Sequence, residues 1–314
     1  MKRAGAAAAL ALAALAAPAH AGFPVEREEI CPVGGEKFTF TTTGSYSVFG
    51  QRPDGKPFGS WFFPLAMPEC PSNALVIYRK FKPEEIPALT ALVASPEYKA
   101  LRSETQYFRA SWLAARMEPD NPQRAAFLLL QASWEVDEAP AIKAGYQRAF
   151  AEAAGAIAPD PADLDSLFLR FRLANARREL GEFDAARAAL DSLPLTALDV
   201  TVPTDKAVPY EQRREAKSRR FLHDQTLLMR KVIDAGDSAS NPLDLMSVDF
   251  AGAACADLIE AGAAAPLPER CNEPLVRERM QEVLRNRKDR AAKGRPTAGE
   301  VMEDAEKAAE AIAD

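Results

Sequence analysis

Four times along this chain a side chain able to cap a helix stands directly before a proline: Ser95-Pro96, Asn121-Pro122, Asp160-Pro161 and Asn241-Pro242. The capping oxygen accepts from a backbone N–H that the first helical turn leaves without a partner. Proline at the first helical position has no N–H to lose. The pattern predicts a succession of helices from about residue 83 onward, and part of the 47% hydrophobic share is alanine, which favours helix over strand. From Gly22 to Lys82 the chain has a different character. Phe38 to Thr43 and Leu75 to Tyr78 have strand composition, and Pro53-Asp54-Gly55-Lys56-Pro57 is a turn signal. The expected fold is mainly α, with a small N-terminal β-rich segment.

The clearest helical unit lies between Asp163 and Leu193. Leu164, Leu167, Phe168, Phe171 and Ala174 form one apolar face, and Gly181 closes that helix. Phe183, Ala186, Ala189, Leu190 and Leu193 face inward from a second. The small residue Ala174, followed by Gly181-Glu182-Phe183-Asp184-Ala185-Ala186, resembles the tetratricopeptide repeat over about one 34-residue unit. The stretch from Leu128 to Ala153, with Gly145-Tyr146 and Phe150, reads as a divergent copy interrupted at Pro140. The alternative is a generic helical hairpin in an irregular bundle. A further helix is expected from Ser218 to Ala235, burying Phe221, Leu222, Leu228, Met229, Val232 and Ile233, with a basic approach that includes Arg213, Arg214 and Lys217.

Met1-Lys2-Arg3, the apolar run from Ala4 to Ala17 and Pro18-Ala19-His20-Ala21 have the form of a cleavable signal peptide, cut after Ala21. The run is shorter than the roughly 20 residues of a spanning helix. Gly22 and not Cys follows, which argues against a lipid anchor. The chain is therefore expected in the periplasm or secreted, with no transmembrane segment after cleavage. Residues 1–21 form the leader, 22–82 the β-rich segment, 83–285 the helical repeat-like region and 286–314 a charged tail.

Loss of Lys2 and Arg3 makes the formal net charge of −6 more negative, so no global nucleic-acid footprint exists. Only His20 and His223 occur, and His20 leaves with the leader. A multi-histidine metal site is thereby excluded, and a catalytic triad would have to be built on His223. The chain contains no G-x-S-x-G, H-E-x-x-H, G-x-x-x-x-G-K-[ST] or G-x-G-x-x-G. Spacing singles out no carboxylate pair for hydrolysis. No cofactor and no metal are expected.

Four cysteines follow the leader: Cys31, Cys70, Cys255 and Cys271. An even count in an oxidising compartment favours two disulfides. Three connectivities are open, and the layout of the chain favours Cys31 with Cys70 and Cys255 with Cys271. Cys31-Pro32-Val33-Gly34-Gly35 and Cys70-Pro71-Ser72-Asn73-Ala74 resemble the two C-P-x-C-G halves of a zinc-ribbon-like segment. The order of parts is similar to an uncharacterised bacterial family that joins such a segment to tetratricopeptide-like helices. The second cysteine of each half is replaced here, by Gly34 and Asn73. Two sulfurs without histidine do not make the usual four-ligand structural zinc site. The resemblance implies a retained knuckle scaffold in which a Cys31–Cys70 disulfide stands where the metal was.

Two clusters are candidate sites. On a helix, Arg219 and His223 are four apart, as are Arg220 and Asp224, which places an imidazole beside two guanidiniums and a carboxylate. That arrangement binds a small anion, or else is surface ion pairing that also involves Glu215. Trp61, Phe62 and Phe63, read as strand, must point to both faces, so one of them meets either a partner or the covering helices. Repeat hairpins supply surface more often than chemistry. The sequence points to a non-catalytic adaptor or scaffold that binds an envelope protein or peptide. The competing class is an enzyme or small-anion binder using Arg219, Arg220 and His223.

Overall fold

Period-two burial marks the first hairpin. Phe38, Phe40 and Thr42 are half-buried while Lys37, Thr39 and Thr41 are exposed. The computed structural model describes residues 22–263 and 266–294; the expected leader, its cleavage site and the tail from residue 295 lie outside the described residues. Strand β1 (Pro24–Ile30) pairs antiparallel with β2 (Lys37–Thr43), and Arg27 faces Phe40. A second antiparallel pair, β3 (Val48–Gln51) and β4 (Pro57–Gly59), flanks the expected turn. In that turn the Gly55 N–H donates to the Arg52 carbonyl at 2.9 Å, the Lys56 N–H donates to Asp54 Oδ1 at 2.9 Å, and Gly55 has a φ of +93°.

Leu75 to Tyr78 is not a strand. It contributes a single bridge, Glu69 to Val76. Its backbone groups have other partners: the Cys70 N–H donates to the Leu75 carbonyl at 2.9 Å and the Ile77 N–H to that of Pro68 at 2.9 Å. The Val76 N–H donates to the Tyr98 hydroxyl at 3.3 Å. Strand composition here reflects burial, since Leu75 and Val76 are fully buried.

Both Cys-Pro turns have one hydrogen-bond pattern. The Gly35 N–H donates to the Cys31 carbonyl and the Ala74 N–H to that of Cys70, while the N–H of each cysteine donates to the carbonyl five residues on. Gly35 and Ala74, equivalent in the two turns, both have positive φ, +73° and +59°. Two knuckles of matching form thus face each other across the Cys31–Cys70 disulfide, whose Cα atoms are 5.5 Å apart. Their cysteines and Leu75 share one core with Leu89, Val93, Tyr98 and Leu113, so the β segment and the first helices bury apolar surface together.

The helical part begins with α1 (Ile86–Ala94), α2 (Pro96–Ala100) and α3 (Gln106–Met117). It continues through α4 (Pro122–Glu135), α5 (Pro140–Gly155), α6 (Leu164–Glu179), α7 (Phe183–Asp191) and α8 (Leu195–Leu198). Two of the four cap–proline pairs start helices as expected: Ser95 accepts from the Tyr98 N–H and Asn121 from the Arg124 N–H. The other two do not. Pro161 lies in a turn, and Asp163 caps α6 by accepting from the Asp165 N–H at 3.0 Å. Asn241-Pro242 leads into one 3₁₀ turn, and the following helix starts at a Ser247 cap. In both cases a second oxygen-bearing residue lies nearer the apolar face and supplies the cap.

From α3 to α7 each helix packs against the next, as in a hairpin array. Gly181, with a φ of +77°, ends α6, and the fully buried Ala174 and Ala186 let α6 and α7 approach closely. Pro140 does not interrupt the upstream hairpin but opens α5 as its first residue. Helix α9 (Tyr210–Asp234) starts eight residues before the expected Ser218. The basic approach is its solvated face, threaded by the pairs Glu211–Arg214, Glu215–Arg219 and Arg220–Asp224.

Three elements close the described chain: α10 (Val248–Glu260), α11 (Glu269–Asn272) and α12 (Pro274–Ala292). The Cys255–Cys271 disulfide lies in their core with Ala251, Val276 and Met280. Helix α12 runs past residue 285, so the charged stretch expected to start at 286 begins inside a helix. Arg287 holds it to α10 through Asp257 and Glu260, both at 2.6 Å. No described helix is long and apolar enough to cross a membrane.

Candidate functional site

Five parts of the chain converge on one cleft of about 290 Å³: the β3–β4 hairpin, α6, α9, the segment that leads into α10, and α10 itself. Its volume falls just short of the roughly 300–1,000 Å³ range of small-molecule sites. Five of the 16 phenylalanines line it: Phe49, Phe58, Phe171, Phe221 and Phe250. Aromatic walls of that extent favour an apolar occupant. Phe58 and Phe250 meet at a centroid distance of 4.9 Å and tie the hairpin to α10. A Cβ on Gly50 would fall 2.7 Å from the Phe250 ring, so glycine is what lets the hairpin close on that wall.

A charged network beside the cleft is built on the 52–56 turn, with Arg52 as the member that lines it. Arg52 donates to both oxygens of Asp54, at 3.2 and 2.5 Å, and to Asp137 at 2.8 Å. Lys56 and Lys143 reach Asp137 as well, at 2.6 and 2.9 Å. Burial alone would raise the Asp137 carboxyl; hydrogen bonds from Arg52, Lys56 and Lys143 overturn that and hold it well below the usual carboxylate range. In the same network Glu179 accepts from Asn175 at 2.7 Å and from Gln147 at 2.8 Å, and Lys143 lies 3.5 Å away. Arg178, fully buried, donates to Asn175 and to the Asp237 carbonyl.

Arg172 differs from these cations. It is 8% exposed and donates through Nη1 to the Pro53 carbonyl. Among the described residues no carboxylate lies within 4.0 Å of it, and its Nε and Nη2 have no acceptor. The nearest carboxylate, Asp54, is engaged by Arg52 and by the Lys56 N–H. Burial pulls the Arg172 guanidinium down to about 10, with the Asp54 charge opposing. One face of the guanidinium is closed by the turn: a Cβ on Gly55 would lie 3.0 Å from Cζ, Nε and Nη2. The rest lines the cleft.

The sequence-derived candidates fall elsewhere. Arg219 donates to Glu215 at 2.9 Å and to the Pro161 carbonyl at 3.1 Å. Arg220 pairs with Asp199 at 2.6 Å and with Asp224 at 3.1 Å, and His223 Nδ1 lies 3.0 Å from Asp224. Each guanidinium in that cluster faces a carboxylate. The same helix does serve the cleft, through Phe221 and Gln225. Phe221, expected in the core, is 44% exposed beside the fully buried Leu222. Trp61, Phe62 and Phe63 are not in a strand but in a bend after β4. Trp61 is half-buried against Phe62, Phe63 packs on Tyr46, and Phe62 is 57% exposed.

Arg172 has a signal in the sequence: it stands four residues after Phe168, beside the apolar face of its helix, where a charge requires an explanation. Cys31, Cys70 and Glu36 bring ligand atoms within 4.8 Å of one another, with the two sulfurs joined to each other. Compared with protein-family models, curated proteins and solved structures, the chain matches none.

Proposed function

We propose that this chain is an exported, non-catalytic binding protein of the bacterial envelope, an adaptor whose cleft takes an apolar group of a protein or peptide. The observation that carries the reading is the aromatic cleft, open at Phe49 and Phe221 and walled by both the β3–β4 hairpin and the helical array. Two disulfides suit an oxidising compartment, in line with the leader-like first 21 residues. The matched knuckles support kinship with the zinc-ribbon and tetratricopeptide-like family, the metal replaced by a disulfide. Replacing Phe221 with a photo-crosslinking phenylalanine in cells tests the reading. A discrete adduct is expected there and not from the same replacement at Leu227, which is exposed on another face of α9. Identical patterns at both positions would rule the cleft out. An enzyme or anion binder built on Arg219, Arg220 and His223 draws no comparable support, because both guanidiniums already face carboxylates and His223 lies against Asp224.

A further inference from the structure

We infer that the occupant of the cleft carries a carboxylate on an aryl or branched aliphatic group, and that Arg172 receives it. The inference rests on the cleft being a binding site and specifies what that site selects. Three observations support it. In a chain with more acids than bases, the cleft is lined by two arginines, Arg52 and Arg172, and by no carboxylate. Arg52 is committed to Asp54 and Asp137, whereas Arg172 keeps two N–H-bearing nitrogens without an acceptor among the described residues. A buried cation without a counter-charge is costly unless an anion completes it, and a guanidinium fork fits a carboxylate in bidentate fashion. Around that charge the walls are aromatic, so the rest of the occupant is apolar.

The charged network beside Arg172 leaves its charge unmatched. The adjoining network sets the cations Arg52, Lys56, Lys143 and Arg178 against the carboxylates Asp54, Asp137 and Glu179, and Asp237 also acts on Arg178. Gln225 and Asn241, also lining the cleft, can hydrogen-bond the polar remainder of the ligand. The same chemistry comes from two sources: a free small carboxylic acid, or the C-terminal carboxylate of a polypeptide ending in an apolar residue.

The test compares acid with amide on the full-length mature protein, by calorimetry and by the NMR shift of the Met246 methyl group, which lines the cleft. The probes are N-acetylphenylalanine and its amide, and a hexapeptide ending in phenylalanine with a free or an amidated terminus. In at least one pair the acid should bind about tenfold or more tightly than its amide, the size of a charged hydrogen bond lost, and move Met246. The pair that binds more tightly identifies the source. Arg172→Gln should abolish the preference; if that variant fails to fold, the wild-type comparison still decides. Equal binding of acid and amide, no binding, or binding that leaves Met246 unmoved would overturn the carboxylate assignment. If the Phe221 crosslink nevertheless forms, the cleft remains a binding site for an uncharged group.

Discussion

The side-chain amide of Asn73 donates to the Val33 carbonyl at 3.0 Å, joining the two Cys-Pro knuckles beside their disulfide. Its oxygen accepts from the Leu75 N–H at 2.9 Å. Asn73 stands where the C-P-x-C pattern has its second cysteine, so a position that resembles a metal ligand acts here as a hydrogen-bonded clamp. Asn73→Ala should lower stability by about 1–3 kcal/mol, because it leaves two backbone groups without their partner. Urea unfolding monitored by circular dichroism measures this. An unchanged midpoint would mean the clamp contributes nothing.

Both disulfides close loops, with sequence separations of 39 and 16 residues. Loop entropy assigns each about 3–4 kcal/mol. Labelling of the unreduced, denatured protein should find no reactive thiol. Joint replacement of Cys255 and Cys271 by serine should lower the unfolding free energy by about 3 kcal/mol.

Asp137 ties the β hairpin to α5 through Arg52, Lys56 and Lys143. Its carboxyl titrates lower in the folded chain than in the unfolded one, so its contribution is complete above the unfolded value of about 3.9 and is lost as pH falls below it. Asp137→Asn should cost about 3 kcal/mol at pH 7 and flatten the acid limb of the stability profile. Unfolding curves at pH 7, 5 and 3 decide between this and an Asn variant that keeps the wild-type acid limb.

Arg220 and Asp224 are both about half exposed, so their pairing is weak in water. Arg220→Ala and His223→Ala should each change stability by about 1 kcal/mol or less and leave acid binding in the cleft unchanged. Loss of binding in either variant would return the site to α9's charged face.

Much of the helical architecture was legible because it depends on local physics. Caps, prolines and 3.6-residue periodicity located the α6–α7 hairpin, and Gly181 supplied the positive φ that ends α6. Local signals failed where two of them competed within a few residues, as at Pro161 and Asp163, or where burial imitated strand composition, as at Leu75 and Val76. On α9 the residues read as a site are satisfied by Asp199, Glu215 and Asp224, while Phe221, read as core, opens onto the cleft. Which side a residue faces was readable from periodicity; what waits on that side was not.

By itself the sequence determined the mainly α fold, the hairpin with its small-residue contact, the turn at Asp54-Gly55, and four cysteines suited to two disulfides. Only the tertiary structure decided that Pro53 and Gly55 would meet Arg172, across more than a hundred residues. The reason is physical. A helix or turn is set by groups a few residues apart, whereas a guanidinium's surplus charge depends on which distant carboxylates reach it: the turn itself sets Asp54 beside Arg52, but only packing brings Asp137 there and leaves Arg172 open to the cleft.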